Sequence, residues 1–177
     1  MENTSTSAVT TTSAGLRYGL IIGVVTIIYS FILMLTNMEQ NAGMGFVTFI
    51  ILIGGIVLAH RYYKQHNGGF MSYGQGLGIA TITGAVIGLL SGIFRYVYVT
   101  FIDPQYQENA MNAMRAKFEE AGNMSDEQID QAMQMTQRFT PSGPMGILIA
   151  VLGTAFFAFL LSLIISAITK RNRPEFE

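Results

Sequence analysis

Cysteine is missing from the 177 residues, and acidic and basic side chains make up only 12% of them. Without cysteine, disulfides and thiolate metal sites are excluded, and the redox compartment leaves no mark on the sequence. The charge content is about half of the ~25% usual in soluble domains, so a soluble helical protein of this composition would struggle to cover its surface. Carboxylates are absent from every long apolar run. An ion-coupled transporter or proton relay ordinarily keeps Asp, Glu or His there, because such residues are costly in lipid and retained for function. No large basic face exists either, so nucleic acid is not an expected partner.

What the chain has instead is apolar length. Mean hydropathy is +0.41, and four apolar runs occupy residues 16–36, 43–63, 76–101 and 146–169. Each is near the ~20 residues that a helix needs to cross a bilayer. The expected fold is all-α: a four-helix transmembrane bundle, residues 15–170, with an extramembrane helical hairpin between spans 3 and 4. Residues 1–14 are rich in Ser and Thr, bury nothing apolar and are expected to be a disordered cytoplasmic N-terminus. They do not read as a cleavable signal peptide, because Arg17 comes late and the following run is span-length with no small-residue cleavage site. Residues 171–177 form a cytoplasmic tail.

Charge orients the spans. Arg17 precedes span 1, Arg61 and Lys64 follow span 2, and Lys170, Arg171 and Arg173 follow span 4. Four crossings put all six on one side, which the positive-inside rule makes cytoplasmic. The 37–42 link carries Glu39 and no basic residue, as an outer loop should. Tyr18, Tyr62, Tyr63, Tyr73, Tyr96 and Tyr98 lie near span ends, where an aromatic body with a polar tip is favoured.

Between spans 3 and 4, Asp103, Glu108, Glu119, Glu120, Asp126, Glu127 and Asp130 outnumber Arg115, Lys117 and Arg138. Asp103-Pro104 supplies an N-cap and a first-turn proline, and Tyr106, Ala110, Met114 and Phe118 then recur at helical spacing as far as Gly122. Ser125 and Gln128 form a capping box before Ile129, Ala132, Met133 and Thr136, and Pro141 and Pro144 end the stripe. The segment reads as an acidic helical hairpin over residues 104–140, on the outer face together with the rest of 103–143.

In lipid, helix interfaces are marked by small residues that let backbones approach. Span 3 carries Ala80, Gly84, Gly88 and Gly92 at four-residue steps, span 1 Gly15, Gly19 and Gly23, and span 4 Gly146, Ala150, Thr154, Ala158, Ser162 and Ser166. Span 3 is therefore expected to be central. Close packing within the chain is the simplest use of these ridges, with self-association the next.

Arg95 is the one charge clearly inside an apolar run. It is expected to snorkel outward and pair with Glu39 or Asp103, or else to contact an anion or lipid headgroup. His60 and His66, six residues apart without a third ligand, make a poor zinc site and read as a basic, aromatic membrane interface. Gly74, Gly76 and Gly78 only superficially resemble a phosphate loop, because no strand precedes them. Met38, Met44, Met111, Met114, Met124, Met133, Met135 and Met145 cluster on the outer half. Their thioethers could ligate Cu(I) or fill the packing of the hairpin, and the spacing favours packing. Span hydroxyls such as Ser30, Ser91, Ser162 and Ser166 have no His or carboxylate nearby in sequence to activate them. No catalytic, cofactor or metal residue is assigned, and the protein is not expected to be an enzyme.

Gly15-Leu16-Arg17-Tyr18-Gly19, the stretch 61–78 with Gly69-Phe70-Met71-Ser72-Tyr73-Gly74-Gln75, and Phe101-Ile102-Asp103-Pro104 together resemble a family of small bacterial four-span membrane proteins classed as a domain of unknown function. The resemblance covers about residues 13–170 and implies a bacterial inner-membrane location and the four-helix plan. It carries no activity with it. The expected role is that of a structural or accessory membrane component, touching lipid, a second copy of itself or a membrane-protein partner. An oligomeric small-solute transporter or channel component is the alternative.

Overall fold

The computed structural model describes residues 9–39, 41–139 and 143–173. The element order is α1 (Thr11–Leu35), α2 (Ala42–His66), α3 (Tyr73–Val97), a π-helical turn (Tyr98–Ile102), α4 (Tyr106–Ala121), α5 (Asp126–Phe139) and α6 (Pro144–Thr169). Among the described residues there is no strand, only one antiparallel bridge between Met71 and Arg171. Four helices, α1, α2, α6 and α3 with its π turn, are long and apolar enough to cross a membrane.

The helix boundaries follow from local chemistry, and the first corrects an expectation. α1 starts at Thr11, ahead of the apolar run, because Thr10 and Ser13 cap one another: each hydroxyl accepts the other's backbone N–H at 3.0 Å. Ala14 is wholly buried with Ala59, Tyr63, Met71 and Ile79, and Val9 packs against that cluster. Disorder through residue 14 therefore fails for Val9 to Ala14; residues 1–8 lie outside the described residues. α2 begins on Asn41, whose side chain accepts from Gly43 N at 2.9 Å. It runs on to His66 and is reversed by Gly68 and Gly69, both at positive φ, with Gly69 N donating to Lys64 O at 2.8 Å. Ser72 and Gln75 then form a reciprocal box that starts α3 at Tyr73. Pro144 opens α6, at a position where its missing N–H costs nothing.

The chain divides into two compact units: residues 1–91 with 150–177, and residues 92–149. In the first, α3 touches the other three helices. The glycine ridge of α1 takes branched side chains of α3. A Cβ on Gly15 would stand 2.8 Å from Ile82 Cβ, one on Gly19 2.6 Å from Val86 Cβ, and one on Gly23 2.6 Å from Leu90 Cδ1. Thr83 on α3 adds a bond across the same seam, its hydroxyl 3.4 Å from Gly15 O as well as 2.8 Å from Ile79 O. The opposite ridge of α3 meets the backbone of α6. A Cβ on Gly84 would overlap Ala158 and lie 2.8 Å from Thr154 O, and one on Gly88 would lie 2.5 Å from Ala150 O. Ile56 of α2 closes this side in a buried cluster with Ala80 and Ala158. Ile22 of α1 sits where a Cβ of Gly55 on α2 would be, at 2.8 Å. Large apolar residues face outward all round, Phe46, Ile164 and Ile168 among them, as lipid-facing surfaces do.

In the second unit α4 and α5 form a hairpin. Gly122, at φ 64°, caps α4 in the left-handed region. Ser125 N donates to Gln128 Oε1 at 2.9 Å and Gln128 N to Ser125 Oγ at 3.4 Å, starting α5. Ile129 is buried, and Tyr106, Ala110, Met114, Phe118, Ala132, Met133 and Thr136 are half-buried. The start of α4 differs from expectation. Asp103 does not cap it; its N–H instead closes the π turn onto Tyr98 O at 2.9 Å, and Gln105 precedes the helix with no side-chain cap. Pro141 lies outside the described residues.

Candidate functional site

Two features of the first unit concentrate polar chemistry, and both lie where the start of α1, the end of α2, the start of α3 and the end of α6 meet. The first is a buried hydrogen-bonded cluster. His60, fully buried on α2, reaches Gly76 O of α3 through Nε2 at 2.9 Å and Thr169 Oγ1 of α6 through Nδ1 at 3.0 Å. A carbonyl only accepts, so Nε2 carries a proton. Thr169 Oγ1 is also 2.8 Å from Ile165 O, which gives its single proton two competing acceptors when the ring is neutral. Ser162 and Ser166 share a bond at 2.8 Å, and Ser162 Oγ lies 3.4 Å from Gly76 O. Gly76 permits this convergence: a Cβ there would be 2.5 Å from Ser166 Oγ and 3.3 Å from His60 Cε1. Lys64, one turn beyond His60, donates to Thr169 O at 2.9 Å and so caps the carbonyl end of α6.

One histidine thus ties three helices together. The interfacial role expected of it is corrected: its neighbours Arg61, Gln65 and His66 are exposed, but His60 shares the inward face with Ile56, Ala59 and Tyr63. His66 instead bonds Tyr62 O at 2.9 Å, away from His60. Nδ1 of His60 thus faces the Thr169 hydroxyl while Nε2 is held by a backbone carbonyl, and no carboxylate joins them among the described residues of this unit. Among the described residues no three His, Cys, Asp or Glu side chains come together as metal ligands.

The second feature is a cationic rim clamped on aromatic rings. Arg17 lies 4.6 Å from the centre of the Tyr62 ring and donates to a Tyr hydroxyl, that of Tyr62, at 2.8 Å. Tyr18 and His66 pack against the same ring. Lys170 is 6.0 Å from the Tyr73 ring, while Arg171 and Arg173 both sit over Phe70, at 5.6 and 5.8 Å. The segment after α6 is pinned in place by Met71 N to Arg171 O and Arg171 N to Met71 O, each 2.9 Å. Sequence reasoning placed these cations at one end of the bundle but gave no sign of the Met71–Arg171 pairing, which joins residues one hundred positions apart.

The remaining candidates fall as follows. Gly15, Gly19, Gly23, Ala80, Gly84, Gly88, Ala150, Thr154 and Ala158 lie in the helix contacts described above. Gly92 is buried and Gly146 half-buried, both in the second unit. Of the partners expected for Arg95, Asp103 lies in the same unit, and among the described residues the two do not form an ion pair. Arg115 is ion-paired with Glu119 and with Asp130, at 3.0 and 2.8 Å, whereas Arg95 lies 5.7 Å from the centre of the Tyr106 ring. Tyr106 in turn packs edge-on against buried Tyr98.

Four bilayer-length apolar helices joined by small-residue seams define an α-helical, multi-pass membrane protein. The chain belongs to the DUF4199 family, described as proteins of unknown function, whose model matches residues 17–171. No curated protein and no solved structure matches it.

Proposed function

We propose that the protein is a non-enzymatic structural or accessory component of the bacterial inner membrane. Both termini and the α2–α3 link face the cytoplasm, and residues 103–143 face outward. The observation that carries this reading is the division of charge: Arg17, Arg61, Lys64, Lys170, Arg171 and Arg173 gather at one end of the helices, the pattern that fixes orientation during insertion. Four crossings then leave the acidic hairpin outside, available to a partner protein.

Packing supports an accessory role over transport. Along α3 the contacts with α6 at Gly84 and Gly88 are at backbone distance, so there is no solute lane between these two helices at that level, and a transport path would have to run between copies. Each side chain of the buried polar cluster has a hydrogen-bonding neighbour within the cluster or on the adjoining backbone, as interior polar groups that specify a fold do. Intact-mass measurement in native lipid followed by liposome flux tests the reading. A monomer or stable partner complex without flux supports it. Flux of a small solute through an oligomer overturns it in favour of a transporter or channel component.

A further inference from the structure

Resting on that reading of the cationic end as membrane-facing cytoplasmic surface, we infer that Arg171, Arg173 and Phe70 form a binding site for a phosphate-bearing anion. Three observations converge on it. First, two guanidinium groups share one aromatic ring, at 5.6 and 5.8 Å, which holds like charges near each other. Second, among the described residues neither has an acidic partner: a hydrogen bond joins the pair to a side chain from Arg173 Nη2 to Asn67 Oδ1 at 3.5 Å. Among the described residues of this unit the one carboxylate is Glu39, past the far end of α1, about 30 Å along the helix axis. Third, the arginines are preorganised. The pair of hydrogen bonds between Met71 and Arg171 fixes the backbone, Met71 is fully buried, and Asn67 is itself braced by Nδ2 donating to Phe70 O at 2.9 Å.

The Gly68–Gly69 turn leaves the approach open. Both residues adopt positive φ, and even a Cβ on Gly69 would come no nearer than 4.0 Å to Arg171 Nη1, so the turn does not crowd that guanidinium. Lys64 is directed toward the end of α6 instead, donating to Thr169 O. Guanidinium forks match phosphate oxygens in geometry and charge, and stacked arginines lose little freedom on binding. A phospholipid headgroup and a free phosphate share this chemistry.

The test uses full-length protein in a neutral detergent, with thermal unfolding followed as phosphatidylglycerol or inorganic phosphate is titrated in, phosphatidylcholine serving as reference. Orientation plays no part in micelles, so a failure here leaves the topology reading standing and the reverse holds too. The expected result is an upward shift with phosphatidylglycerol and none with phosphatidylcholine. R171Q/R173Q should weaken the response roughly ten- to hundredfold, the worth of about one charged hydrogen bond. R171K/R173K, which keeps the charge and the fold, should retain only part of it because an ammonium cannot fork. A shift with phosphatidylglycerol alone assigns the anion to lipid, and an equal shift with phosphate assigns it to a soluble species. Deleting residues 174–177, which carry Glu175 and Glu177, should leave the response intact or stronger. No shift with either anion, a shift that survives R171Q/R173Q at full strength, or its loss on deleting 174–177 overturns the assignment.

Discussion

Gly88→Ala adds a single methyl group where no side chain can make room for it. The three nearest atoms to the new Cβ all belong to the backbone of α6: Ala150 O at 2.5 Å, Val151 Cα at 2.8 Å and Ala150 C at 3.0 Å. Ordinary van der Waals contact begins near 3.4 Å, so one helix must retreat by about 1 Å, loosening neighbouring contacts along the seam. Overpacking costs about 1–3 kcal/mol, and a clash against backbone belongs at the top of that range. Gly153→Ala is the matched control. It is the same change on α6 with nothing within 4 Å, where alanine's helix preference is worth up to about 1 kcal/mol in the opposite direction. Gly23→Ala lies between them, because the atom it meets is the tip of Leu90, which can turn aside. Thermal unfolding of purified protein in one detergent should rank them Gly88→Ala lowest, Gly23→Ala intermediate and Gly153→Ala at or above the parent. A cost of about 3 kcal/mol corresponds to roughly 6–12 °C for a chain of this size. Equal midpoints for Gly88→Ala and Gly153→Ala would refute the assignment of Gly88 to a backbone contact.

Other residues give smaller or more local effects. His60→Leu removes the two bonds that this side chain makes to α3 and α6 and should cost about 1–3 kcal/mol in the same unfolding assay; a midpoint at the parent's value would show that these bonds contribute nothing. Ser125→Ala removes the cap of α5 and should cost about 1 kcal/mol locally, read as faster amide exchange in the first turn of α5 with the long helices unchanged. Arg115 is pinned by Glu119 first and Asp130 second, which hold its guanidinium above its ordinary range, but all three are about half exposed. Arg115→Gln should therefore leave the unfolding midpoint of the whole protein unchanged within error, and a clear drop would mean that the hairpin ion pairs matter more than exposed pairs do.

Much of the architecture could be read from the residues because lipid is a demanding solvent: four apolar runs have few alternatives to spanning, and the Gly122, Ser125 and Gln128 signals mark the hairpin turn. The misses were of a different kind. Composition alone made residues 9–14 look unstructured, whereas a local Thr10–Ser13 box and the burial of Ala14 decide the start of α1. His60 sits in a basic, aromatic stretch that reads as interface, yet its spacing from Ile56 and Tyr63 was the available sign that it faces inward. The small-residue ridge of α1 was legible, but its partners Ile82, Val86 and Leu90 were not, since a glycine groove specifies room rather than its occupant. The Met71–Arg171 bridge, and with it the pairing of Arg171 and Arg173 over Phe70, depends on two distant segments arriving together. Nothing local encodes that.

Orientation is the claim on which the functional reading rests, and the absence of cysteine makes it directly measurable. Single-cysteine variants Gln65→Cys, at the exposed end of α2, and Asn123→Cys, in the exposed hairpin turn, carry no background thiol. A membrane-impermeant maleimide applied to intact spheroplasts should label Asn123→Cys at once and Gln65→Cys only after permeabilisation. The reverse pattern, or labelling of both positions from the same side, would contradict a four-span bundle with its cationic end in the cytoplasm.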